Sequence, residues 1–205
     1  MKLLSIETTS SIGSIAVVEN FNLLKEITFK SDDIASCLVE NLENINCEIK
    51  TSDFDYFIVS IGPGSWTGIR TGISFVKGIA CGKREKIYAV SLPDSLFFIL
   101  KDFRCKLICV VNAYRENFYI SKYNSKFNFK KSFPIKTFSK KIVKNILKKE
   151  DYIPIGPGVN IFLNNYKKDV FKFPVYPLAS YNAFLAYEKI KRGIKSPPLE
   201  PYYGR

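Results

Sequence analysis

The chain has 205 residues, of which 46% are hydrophobic and 24% charged; this is enough apolar material for one large domain or two small lobes, and too much for a disordered segment. It contains no histidine, which excludes a Ser-His-Asp or Cys-His relay, the zinc-hydrolase helix and His-ligated iron, and its 5 cysteines form no C-x-x-C, so neither a disulfide framework nor a zinc site is indicated. The net charge of +12 is uneven: residues 1–103 hold 10 Lys and Arg against 13 Asp and Glu, whereas residues 104–205 hold 21 against 6.

In chain order, "KLLSIE", "SIAVV" and "LLKEITFK" predict three consecutive strands and an antiparallel meander. The first apolar run ends at Glu7, too short for a signal-peptide core, and no later run approaches about 18 apolar residues, so a cytoplasmic protein is expected. Ser31 or Asp32 is placed to cap a helix in which Ile34, Leu38, Leu42 and Ile45 recur at helical spacing. "YFIVSI" reads as a buried strand, residues 65–81 as a second helix, "IYAVS" as a strand and "PDSLFFIL" as a short helix from near Asp94. The plan then restarts. "KLICVV", "NFYISKY" and "FNFKKSF" are three strand candidates, followed by a helix at 139–149, a strand at "YIPIG" and a helix at 180–192, with the proline-rich tail "SPPLEPYYGR" expected to lie extended on the surface.

The loop "SIGPGSWTGIRTGIS" at 60–74 carries Gly62, Gly64 and Gly68, hydroxyls at Ser65, Thr67 and Thr71, and the cation Arg70, a composition suited to wrapping an anion. It does not satisfy the P-loop pattern, being one residue short and lacking the lysine, nor the dinucleotide fingerprint, because Thr67 stands where the third glycine belongs. Set out at about 100° per residue, Ile69, Ile73, Val76 and Ala80 form one apolar arc facing the sheet, and Gly68, Gly72, Phe75 and Ile79 form an adjacent one. Glycine inside a helix costs about 1 kcal/mol relative to alanine, which close packing of another helix would offset. That neighbour is either the Ile34 helix of the same half or a helix of another molecule, and the spacing leaves both open. Glu7, followed by Thr8, Thr9, Ser10 and Ser11, is either a vestigial nucleotide site or a turn closed by its own side-chain hydrogen bonds. The basic second half suits a nucleic-acid backbone, although lysines scattered through a chain rich in Asn, Ile, Phe and Tyr also follow from composition alone.

"LLSIETTSSIGSIAVV" followed by "VSIGPGSWTGIRTGISFVKGIA" resembles the TsaB (YeaZ) proteins, which carry a D-T-[ST] start and a G-x-G-P-G-S-[FW]-T-G-[VIL]-R loop. The ending "EPYYGR" is similar to the family's E-P-x-Y-x-R. The resemblance implies an α/β fold of two ribonuclease-H-like lobes in the actin, sugar-kinase and heat-shock-ATPase architecture, with the lobes here at 1–103 and 104–205. It implies a non-catalytic dimerisation subunit for threonylcarbamoyladenosine formation next to the tRNA anticodon. The transferase chemistry, with its metal and ATP, would then belong to partner subunits: TsaD, with which the chain pairs, and the ATPase TsaE, which joins them. No cofactor is assigned to this chain, tRNA would be contacted mainly through the complex, and a homodimer of the isolated chain stays open. Pairing would run through the first two helices, by Ile34, Cys37, Leu38 and Asn41 on one and Gly68, Gly72, Phe75 and Ile79 on the other, flanked by Arg70 and Lys77.

Two departures point away from catalysis. Glu7, Thr8 and Thr9 stand where actin-like ATPases have an Asp-x-Gly phosphate turn, without the glycine that lets backbone approach phosphate. Asn112, Ala113 and Tyr114 stand where the family often has Asp-Ala-Arg, losing a carboxylate suited to a base or a metal ligand. The alternative is a stand-alone ATPase or phosphotransferase with Glu7 and Thr9 at the phosphates. Lys140, Lys141, Lys144 and Lys148 are candidates for steering tRNA, and Arg205 for touching a partner.

Overall fold

The computed structural model describes the chain except residues 47–50, 81–85, 104, 125, 150, 163–175 and 204–205. In the first sheet β1 (Lys2–Glu7), β2 (Gly13–Glu19) and β3 (Asn22–Phe29) form the expected antiparallel meander, and β4 (Tyr56–Ser60) and β5 (Ile87–Val90) run parallel to β1. The order is β3-β2-β1-β4-β5. β1, β2, β4 and β5 are buried almost throughout, as continuous apolar runs require of strands covered on both faces. Helices α1 (Ile34–Asn46) and α2 (Trp66–Ile79) cover one face, where Leu38, Leu42, Ile45, Ile69, Ile73 and Val76 meet Ile6, Val17 and Val59.

The other face is covered from far along the chain. Helix α5 (Ala179–Lys191) lays Ala183, Leu185 and Ala186 on Leu3, Val18 and Ile58. Its first turn is anchored by the sheet: the Ser14 hydroxyl accepts from the Ala179 amide at 2.7 Å, and the Glu26 carboxylate accepts from the Ser180 amide at 3.0 Å and hydroxyl at 2.7 Å. A carboxylate there answers both the unpaired amides and the positive end of the helix dipole.

The second sheet contains β6 (Lys106–Asn112), β7 (Asn117–Asn124), β8 (Ile135–Ser139) and β9 (Ile153–Ile155) in the order β8-β7-β6-β9, which repeats β3-β2-β1-β4. Helix α4 (Lys140–Lys149) buries Val143 and Leu147 against Ile108, Val110 and Ile120. Helix α3 (Leu92–Ile99) joins the two sheets, with Phe98 in the core of the first and Leu92, Leu96 and Phe97 packed on Leu107, Cys109 and Tyr123 of the second. A meander followed by a parallel strand, occurring twice, is the ribonuclease-H-like plan, and the fold is the expected α/β, actin-like one.

Two local expectations are corrected. The third strand of the second half is β8 and not residues 127–133, whose phenylalanines are plugs: Phe127 and Phe129 stand edge-on to Phe98 at 5.6 and 5.9 Å, and Phe133 to Phe97 at 4.9 Å. Asp33, rather than Ser31 or Asp32, caps α1, its carboxylate accepting from the Ser36 amide at 3.1 Å and hydroxyl at 2.6 Å. The tail lies extended on the surface, as expected, and is tied down as a strap. The Ala89 amide donates to Ser196 Oγ at 2.9 Å, the Tyr202 amide to the Ile61 carbonyl at 2.9 Å, and the Tyr119 hydroxyl to the Tyr203 carbonyl at 3.2 Å, tying both sheets together. Arg205 lies outside the described residues.

Candidate functional site

The turn after β1 is built around Glu7, whose side chain is 0% exposed. One carboxylate oxygen accepts from the Thr9 amide at 2.6 Å and the Thr9 hydroxyl at 2.5 Å; the other accepts from Asn182 Nδ2 at 3.0 Å. Asn182 Oδ1 in turn accepts from Ser95 Oγ at 2.6 Å, so a buried polar chain links β1, α5 and α3. Burial pushes the Glu7 carboxyl above its usual range, against the opposing pull of the Thr9 and Asn182 hydrogen bonds.

The loop at 60–74 closes over this turn. The Ser65 amide donates to the Thr9 carbonyl at 2.7 Å, the Thr8 hydroxyl donates to the Gly68 carbonyl at 2.7 Å, and the Ser65 hydroxyl caps α2 by accepting from the Gly68 amide at 3.2 Å. A Cβ on Gly64 would stand 2.1 Å from the Thr9 carbonyl oxygen, one on Gly68 1.9 Å from that of Thr8, and one on Gly72 2.4 Å from Thr8 Oγ1. Gly68 and Gly72 of the second arc are therefore packed against the turn after β1, a neighbour that helical spacing alone does not reveal.

Of the residues predicted to meet a partner, three are accounted for inside the chain. Leu38 is 0% exposed in the core under α1, and Gly68 and Gly72 are buried against Thr8. Ile34, Cys37, Asn41, Phe75 and Ile79 remain half-buried on α1 and α2, which lie side by side, and Lys77 is exposed. Arg70 is exposed but engaged: its guanidinium sits 3.7 Å over the Trp66 ring and its Nε donates to the Tyr203 hydroxyl at 2.8 Å. The arginine of the glycine loop and the tyrosine of the terminal motif thus meet across the fold.

A cleft of about 890 Å³ is lined by Thr9, Ser10, Ser11 and Asp32 on the side of the first sheet, by Asn112, Ala113 and Tyr114 on the side of the second, and by Trp66 and Tyr203. Asp32 is the one charged side chain among its described lining residues, so none of them brings a cation to an anionic ligand. Among the described residues no three His, Cys, Asp or Glu side chains converge to hold a metal. Sequence reasoning missed Trp66, Tyr203 and Asn182. Trp66 and Tyr203 had a signal, as the aromatic positions of the two quoted motifs, and Trp66 stands 57% exposed in the structure. Asn182 had none, because its partners lie 87 and 175 residues away.

The family described as "TsaD: tRNA N6-adenosine threonylcarbamoyltransferase" matches residues 31–191. The chain is 29% identical over 130 residues to the tRNA threonylcarbamoyladenosine biosynthesis protein TsaB of Bacillus subtilis (strain 168), an alignment covering 62% of this chain and 56% of that protein. The chain thus spans little more than half the length of this relative. Among solved structures it is similar to a Pseudomonas aeruginosa protein described by its similarity to peptidase YEAZ, with a TM-score of 0.76 and 18% identity over 100% of this chain and 99% of that one. YeaZ from Pseudomonas aeruginosa superposes with a TM-score of 0.75 and 20% identity over 99% and 100% of the two chains.

Proposed function

We propose that this chain, which belongs to the TsaD: tRNA N6-adenosine threonylcarbamoyltransferase family and is similar to the TsaB (YeaZ) proteins, is a non-catalytic subunit in threonylcarbamoyladenosine formation on tRNA. It pairs with the transferase subunit TsaD and holds it in a transfer-competent arrangement. TsaE joins the pair, and the metal and ATP belong to those partners.

One observation carries the reading. Where an actin-like ATPase offers a turn to phosphate, this chain offers a closed one: the Thr9 amide and hydroxyl both go to Glu7, and the carbonyls of Thr8 and Thr9 face the Gly68 and Gly64 backbone. The rival ATPase or phosphotransferase would need those same groups for its substrate. The half-buried ridge of Ile34, Cys37, Asn41, Phe75 and Ile79 supplies a docking face, since a partner helix pair laid on it completes burial that the single chain leaves unfinished.

The test is threonylcarbamoyladenosine formation on tRNA by TsaD and TsaE of the same cell, supplied with threonylcarbamoyl-adenylate and ATP, with and without this chain. A requirement for the chain supports the reading. ATP turnover by the chain alone, lost on Glu7→Ala, would favour the rival.

A further inference from the structure

We propose that the groove between the β7–β8 loop and the end of α5 binds single-stranded RNA, with phosphate held by Lys126 and Lys130 and an unstacked base laid on Arg192. The inference rests on the function proposed above and gives this chain an RNA contact of its own. The groove encloses about 620 Å³, and Lys126, Lys130 and Arg192 line it with Asn128 and Phe129, without a carboxylate among its described lining residues. It lies in the half of the chain holding 21 Lys and Arg against 6 Asp and Glu.

The groove has a defined floor. Phe129 is wedged edge-on against Phe98 at 5.9 Å and Phe127 at 5.0 Å, and the Arg192 guanidinium lies 4.2 Å over its ring. Arg192 Nη2 donates to Glu188 at 2.9 Å, one turn back on the helix, so the guanidinium plane is fixed at two points while the residue stays exposed. A guanidinium plane held this way is a platform on which a base can stack. The lysines flank it on an ordered turn, in which Asn128 Oδ1 accepts from the Lys130 amide at 2.9 Å. By contrast, the lysines of α4 project from a convex helix, and Lys140 is paired with Glu116 at 3.3 Å. That surface attracts phosphate, but α4 itself carries no arginine or aromatic side chain on which a base could stack.

The experiment is fluorescence anisotropy of a labelled oligoadenylate with the full chain over a range of salt concentrations, read beside TsaD pairing and tRNA modification for the same variants. Lys126→Glu/Lys130→Glu/Arg192→Glu should weaken binding at least tenfold and flatten the salt slope by about 1.4, at roughly 0.7 for each of the two lost phosphate contacts on a single strand. Arg192→Lys keeps the charge and loses the plane, so affinity should fall about fivefold or more with the slope unchanged. An equal loss on Lys140→Glu/Lys141→Glu/Lys148→Glu would reduce the effect to general charge and overturn the proposal. Oligoglutamate binding with the same sensitivity to Arg192→Lys would assign the groove to an acidic protein and overturn it too. Absent RNA binding with intact, chain-dependent tRNA modification would remove this site and leave the proposed function standing. RNA binding without any such dependence would do the reverse.

Discussion

Substituting Gly68 with alanine is the sharpest probe of the closed turn. The new methyl carbon stands 1.9 Å from the Thr8 carbonyl oxygen, 3.1 Å from its carbonyl carbon and 3.3 Å from the Ser65 Cβ. The two closest are backbone atoms, so no side chain can rotate to make room. The helix must move away from the turn, which stretches the 2.7 Å bond from the Thr8 hydroxyl to the Gly68 carbonyl and the 2.7 Å bond from the Ser65 amide to the Thr9 carbonyl. Overpacking of this severity costs about 3 kcal/mol, and losing one buried hydrogen bond adds about 1 kcal/mol. Alanine's better helix propensity returns about 1 kcal/mol, leaving a net loss of about 3 kcal/mol. Gly78, near the end of the same helix, is the control: a Cβ there meets nothing within 4 Å, so Gly78→Ala should stabilise by up to about 1 kcal/mol. Urea unfolding of the three proteins measures both effects at once. A Gly68→Ala variant as stable as the parent, or stabilised like Gly78→Ala, would refute the close approach of α2 to Thr8.

Other perturbations test the polar interior. Glu7 carries a folded-state carboxyl raised by burial above its usual 4.5, so the native chain holds this proton more tightly than the unfolded one. Its stabilisation is complete below about pH 4.5 and is lost as the pH rises through the folded value. The urea midpoint of the parent should fall over that window while Glu7→Gln lacks this slope, and parallel pH profiles would contradict the burial argument. Lys189 and Asp94 pair at 3.4 Å with side chains only 6% and 1% exposed, so Lys189→Met should cost about 3–5 kcal/mol. Asp94→Asn added to it removes the charge but keeps an acceptor for the Phe133 amide, which Asp94 holds at 2.9 Å, and should recover part of that loss in a thermal melt; no recovery would deny that the unpaired charge is the cause. Tyr203→Phe removes the acceptor of Arg70 Nε and should cost about 1 kcal/mol. It should also speed hydrogen exchange of the Tyr202 amide, and unchanged exchange would mean that the strap is held elsewhere.

The meander and the two sheet-covering helices were legible because their signals are local. Ile69, Ile73, Val76 and Ala80 recur at helical spacing, and all four are buried against the sheet. What failed depended on contacts between distant segments. The "FNFKKSF" stretch alternates well enough for a strand, yet its rings fill the space beside Phe97 and Phe98, and the chain extends only after Pro134. Gly68 and Gly72 announced a close approach correctly, but a helical wheel shows which face a neighbour takes and not which neighbour it is. The Glu7 turn was one of two open readings. The bonds from Thr9 that build the turn are local, whereas the one from Asn182 is brought in by a helix more than 170 residues later and has no local signal. The tail's prolines suggested an extended segment, while its attachment depends on Ala89, Ile61 and Tyr119, none adjacent to it in sequence.

The most direct test of the central claim is the light-scattering mass, after size exclusion, of this chain alone, of TsaD from the same cell, and of their mixture, repeated with Cys37→Arg. Cys37 is half-buried on the α1 ridge, so arginine there should obstruct a docked helix, and an unchanged urea midpoint would establish that the variant is folded. The account predicts a one-to-one complex with the parent chain and none with the variant. A mixture that elutes as two separate species, or a complex indifferent to Cys37→Arg, would contradict it.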